Sequence, residues 1–81
     1  MNTIIVWGGG SLWVIDKYYQ LDNMAIYVKS LVVYNSIKYY ILDIFIDNIY
    51  TKQYNIKTND ILLTEEHIVI NEVKFIRNYY Q

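Results

Sequence analysis

The chain has 81 residues, which suits one domain spanning positions 1–81 with a thin hydrophobic core. Its 54% apolar content favours folding over disorder, and the absence of Cys removes disulfides and thiolate metal sites from consideration. Seven basic and eight acidic residues leave a net charge of −1, so no basic field exists for duplex nucleic acid.

Residues 1–14 lack the basic start and small-residue cleavage site of a secretory signal. The longest apolar stretch, residues 24–46, is interrupted by Lys29, Lys38 and Asp43, which argues against a membrane span. A cytoplasmic protein is the expectation. The chain is crowded with Ile, Asn, Tyr and Lys but has one Ala, one Arg and no Pro, a usage typical of AT-rich genomes. Small reading frames of that kind are common in viruses and plasmids, so a viral or mobile-element origin is expected by association.

The elements follow in chain order. Two apolar runs, Ile4-Ile5-Val6-Trp7 and Leu12-Trp13-Val14-Ile15, mirror each other about Gly8-Gly9-Gly10. Gly9-Gly10 suits the two positive φ values of a type I′ hairpin turn. Further turn pairs follow at Asp22-Asn23, Asn35-Ser36, Asp47-Asn48, Asn59-Asp60 and Asn71-Glu72. Asn and Asp tolerate the left-handed region. Turn signals at this spacing predict an all-β fold. The reading is a seven-stranded antiparallel meander over residues 2–8, 11–21, 24–34, 37–46, 49–58, 61–70 and 73–80, curled into a small barrel or sandwich.

The central strand is Ile37–Ile46, IKYYILDIFI, where β-branched and aromatic residues favour a pleated surface. Ile37, Ile41, Phe45 and Ile49 also recur every four residues, so an α+β fold with a helix near 36–50 is the alternative. A second ambiguity is Thr64-Glu65-Glu66-His67, which can turn and split the sixth strand.

Two-residue turns fix register. They predict Asp16 opposite Lys29, Asp43 opposite Lys52 and Glu66 opposite Arg77, with no like charges facing each other. Alternation places Trp13, Ile15, Ile26, Val28, Val32, Ile41 and Phe45 on one face. Trp7, Val14, Leu31, Val33, Leu42, Ile44, Ile46, Ile68 and Ile70 fall on the other. Two apolar faces, and edges at residues 2–7 and 73–80, call for closure or a second copy, so a homodimer is expected.

No catalytic, cofactor or metal site is expected. Gly8-x-Gly10 resembles the start of a dinucleotide-binding loop, but Trp13 stands where a third Gly or Ala belongs, and a hairpin turn is the better reading. His67 is the sole histidine and would extend a polar row of Asp43, Lys52 and His67; the row reads as a solvated strip rather than a metal site. Glu65 and Glu66 would point to opposite faces of a strand, which prevents acid/base cooperation. The tyrosines remain. Tyr18, Tyr39, Tyr40, Tyr50, Tyr54 and Tyr79 are the candidate partner-binding residues, because tyrosine is rigid and half polar and is enriched in protein contacts.

The function expected is that of a small non-enzymatic binding protein acting through a protein–protein surface, for instance a virus- or plasmid-encoded inhibitor of a host or defence factor. One alternative is a barrel sequestering a nucleotide-like small molecule in a pocket lined by Trp and Tyr. Another is single-stranded nucleic-acid binding, with tyrosines stacking on bases.

Overall fold

The computed structural model describes residues 4–5 and 14–79. The fold is all-β. Its strands are β1 (Ile4–Ile5), β2 (Lys17–Leu21), β3 (Met24–Tyr34), β4 (Ile37–Ile46), β5 (Ile49–Lys57), β6 (Leu62–Leu63), β7 (His67–Ile70) and β8 (Val73–Asn78), with a 3-10 turn at Thr58–Asp60. Ile37–Ile46 is a strand, so the helical alternative for 36–50 does not hold. The proposed Gly9-Gly10 hairpin and Trp7 and Trp13 lie outside the described residues.

The turn chemistry is explicit. Asn35 and Ser36 have φ of 51° and 65°, Asp47 and Asn48 of 54° and 65°, Asn71 and Glu72 of 50° and 66°. Two successive left-handed residues define type I′ turns, whose twist matches that of the flanking strands. Asn59-Asp60 instead falls in the 3-10 turn, and β5 does not pair with β6.

All pairings are antiparallel, and the strand order is β5-β4-β3-β2-β8-β7-β6, with β1 also on β3. Two meanders, β2–β5 and β6–β8, are joined where β2 pairs with β8. Strand β8 is therefore internal, so the edge expected at 73–80 does not exist; among the described residues β5 and β6 end the strand path, and β1 pairs only with β3. The sheet is not closed into a barrel. It curls so that both wings reach one core, in which Ile56 of β5, Leu42 of β4, Ile26 and Leu31 of β3, Tyr19 of β2, Phe75 of β8 and Ile68 of β7 are buried together.

Two β-bulges produce the curl. In β3 the register shifts between Val28 and Ser30, leaving Lys29 as the extra residue. In β5 Thr51 is extra, because Ile44 faces Lys52 while Phe45 faces Tyr50. A bulge bends the strand and changes which face the next residue takes. Val28 and Leu31, three apart, therefore both point into the core. The face assignment expected from strict alternation is corrected accordingly: Ile26 and Val28 share the inner face with Leu31, Leu42, Ile44 and Ile68.

The bulges also undo two expected charge pairs. Asp43 faces Gln53, and Lys52 faces Ile44. Asp16 lies before β2 with φ 67°, and its amide bonds to the Val28 carbonyl at 2.7 Å rather than placing its side chain across from Lys29. The third expectation holds at the backbone: the Arg77 amide donates to the Glu66 carbonyl at 2.8 Å.

Residues 64–66 form the turn that the sequence offered as an alternative. The Thr64 amide bonds to the His67 carbonyl at 2.9 Å, and Thr64 Oγ1 accepts from the amides of Glu66 and His67, both at 3.2 Å. Tyr19, fully buried on β2, donates its hydroxyl to the Thr64 carbonyl at 2.7 Å. That bond ties the two meanders together across 45 positions of sequence.

Candidate functional surfaces

The core takes the inner face of the curled sheet, leaving an outer face with its own aromatic cluster. Cross-strand register places Tyr18 beside Tyr27, and Tyr27 beside Asp43. In the next row Ala25 sits beside Phe45, and Phe45 beside Tyr50. The rings touch in sequence: Tyr18–Tyr27 centroids are 4.7 Å apart, Tyr18–Phe45 6.4 Å and Phe45–Tyr50 5.8 Å, the last edge-to-face. Such pairs hold each other's rotamers and contribute about 0.5–1.5 kcal/mol beyond area burial. The stripe is wet on its outer side, and Tyr50 is 53% exposed.

Two carboxylates flank it. The Tyr27 hydroxyl donates to Asp16 Oδ1, and Asp43 is its cross-strand neighbour. The hydrogen bond to Asp16 holds the phenol proton, aided by partial burial and by the nearby negative charges, so the Tyr27 pKa is pushed up to about 12. The phenol therefore stays neutral and donating over the whole physiological range.

The six tyrosines singled out from the sequence do not share one surface. Tyr18, Tyr39 and Tyr50 lie on the outer face, Tyr39 opposite Val32 and Lys57. Tyr40 is buried in the core, facing Leu31 and Ile56, and is not presented to a partner. Tyr54 lies on the inner side under the Lys52 ammonium, 5.5 Å from its ring centroid. Tyr79 packs against the 64–66 turn, where the Arg77 guanidinium sits 4.5 Å over its ring and its hydroxyl donates to Glu66 Oε1 at 2.6 Å. That bond raises the Tyr79 pKa. Tyr27 and Phe45 were missed, although both join the stripe. The signal for Tyr27 was the Asp22-Asn23 turn, whose register sets it opposite Tyr18; the Lys29 bulge hid Phe45, which strict alternation placed with Ile26 and Val28 but which faces Ala25 on the outer side.

The polar row of Asp43, Lys52 and His67 does not assemble. Lys52 is on the inner side of β5, Asp43 faces Gln53, and His67 lies on β7 opposite Ile76, at the other wing. His67 Nδ1 lies 3.5 Å from Thr64 Oγ1. Glu65 and Glu66 are exposed in the turn. Among the described residues no group of three or more His, Cys, Asp or Glu could hold a metal ion. No helix among them is long and apolar enough to cross a membrane.

A second feature lies inside the curl. A cleft of about 530 Å³ opens at the end of the sheet where the 22–23 and 71–72 turns approach the β4–β5 wing. Ile26, Ile44 and Phe75 form part of its apolar wall, Leu21 and Val73 stand more exposed, and Lys52 and Tyr54 line its β5 side. Tyr54 is its one aromatic hydroxyl; no Trp lines it among the described residues.

These features define an open, curled antiparallel sheet with an outer aromatic stripe and an inner apolar cleft. Compared with known proteins, the chain matches no family model, no curated protein and no solved structure.

Proposed function

We propose that this chain is a small non-enzymatic binding protein that engages a protein partner through its outer face. The observation that carries the reading is the ring-on-ring stripe of Tyr18, Tyr27, Phe45 and Tyr50. Rigid aromatic side chains give large contact area at low entropy cost and dominate binding hot spots. Asp16 and Asp43 beside the stripe favour a partner that presents Arg or Lys among apolar groups. The same carboxylates would repel a phosphate backbone, so single-strand binding is the weaker reading. A virus- or plasmid-encoded inhibitor remains the concrete form of this proposal.

A homodimer through the β5 edge belongs to the same proposal. Strand β5 runs nine residues, is an edge among the described residues, contains no Pro, and buries only Ile56. In a continuous two-fold sheet, facing residues must share a face, so the axis passes through one residue. An axis at Gln53 sets Lys52 against the partner's Tyr54, both on the inner face, so no like charges meet there.

The test is affinity capture from cells carrying the gene, with Tyr18→Ala, Phe45→Ala and Tyr50→Ala beside Tyr79→Ala. Outer-face variants should each lose roughly tenfold or more in affinity, while the Tyr79 variant retains its partner. Equal retention by all four variants would refute the assignment.

A further inference from the structure

The inner cleft stands apart from the outer-face reading and rests on separate observations. Its floor is fixed by the core: Ile26, Ile44 and Phe75 are each more than nine-tenths buried. Its rim keeps large apolar groups in water, with Leu21 at 39% and Val73 at 42% exposure. A site of about 530 Å³ lies within the range of roughly 300–1,000 Å³ that small-molecule sites occupy.

The polar groups select the ligand class. Among the described residues Lys52 is the one cationic side chain of the lining, and its ammonium lies over the Tyr54 ring. Asp22 also lines the cleft, from the β2–β3 turn, and its backbone carbonyl accepts from Gln20 Nε2. One cation cannot balance a di- or triphosphate; among the described residues the aromatic lining is Phe75, which is buried, and Tyr54, which already carries the Lys52 ammonium. We propose that the cleft binds an amphipathic monoanion, an alkyl or aryl carboxylate, with its apolar part against Ile26, Ile44 and Phe75 and its carboxylate at Lys52.

Displacement of anilinonaphthalene sulfonate, confirmed by calorimetry, tests this on the full chain with octanoate, decanoate and dodecanoate below their micellar concentrations. Affinity should rise by about fourfold per added methylene until the cleft is filled. Alkyltrimethylammonium salts of equal length should bind more weakly, and Lys52→Glu should cost the carboxylates about two- to fivefold or more while narrowing that preference. Val73→Trp on the rim should block binding, whereas Ile76→Trp on the outer face, at a site already 52% exposed, should leave it intact. Circular dichroism confirms that each variant is folded. No binding of the carboxylates, equal binding of cationic and anionic chains, or a Val73→Trp protein that binds normally would overturn the proposal.

Discussion

Replacing Tyr19 by Phe removes a single oxygen and probes the joint between the two meanders. The hydroxyl donates to the Thr64 carbonyl at 2.7 Å from a fully buried ring. Losing a bond of this kind costs about 1 kcal/mol at neutral pH, which lowers the melting temperature of a domain this size by roughly 4–8 °C. The pH dependence is more diagnostic. Burial lifts the Tyr19 pKa from 10.0 to about 12. A folded-state pKa above the unfolded value contributes stability that is fully present below pH 10 and is lost as pH rises through 12. Two units correspond to about 3 kcal/mol in total, of which about half is gone by pH 11. The Phe variant has no proton to lose there. The native chain should be the more stable protein at pH 7, and the order should reverse near about pH 11. Urea unfolding followed by circular dichroism, repeated from pH 7 to 11.5, measures both curves. Parallel curves without a crossing would show that Tyr19 is neither buried nor bonded as described.

Leu42→Ala, at a fully buried core position, should cost about 2–5 kcal/mol in urea unfolding, whereas Ile49→Ala at a 68% exposed edge position should stay within roughly 0.5 kcal/mol. Asp16→Asn removes the carboxylate that holds the Tyr27 proton, so ultraviolet titration should show one phenol moving down from about 12 toward the ordinary 10. Glu72 holds φ 66° without the help of Gly or Asn, and Glu72→Gly should stabilise the protein by about 1 kcal/mol in thermal melts. Light scattering at micromolar concentration should report a dimer, and Gln53→Lys with Asn55→Lys on the β5 edge should return it to a monomer; a monomeric native chain would remove the edge pairing.

Local order was legible in the residues. The boundaries of β3 and β4 and three type I′ turns follow from turn pairs led by Asn or Asp and set between apolar runs. What escaped was nonlocal. Nothing near Tyr18 or Ile76 announces that β2 and β8 lie side by side, because that pairing joins residues 56 or more positions apart. The Lys29 bulge did leave a trace: Val28-Lys29-Ser30-Leu31 breaks the period of two, placing two polar residues between apolar ones. Thr51 left none, since Thr51, Lys52 and Gln53 are all polar. One uncounted residue in each strand was enough to exchange faces, which is why Asp43 misses Lys52. The tyrosine stripe was half visible for the same reason. Tyr18 and Tyr50 were found, while Tyr40 resembled them in composition and lies in the core.

The join between β2 and β8 also sets an order of assembly. Hairpins turning at 35–36 and 47–48 need only short loops to close, so β3, β4 and β5 can zip early. The β2–β8 ladder must wait for a search over most of the chain, and the Tyr19–Thr64 latch can engage only afterwards. The rate-limiting event in refolding is then the arrival of the β6–β8 hairpin pair on a preformed three-stranded wing, and its amides should be the first to exchange with deuterium when the native state opens.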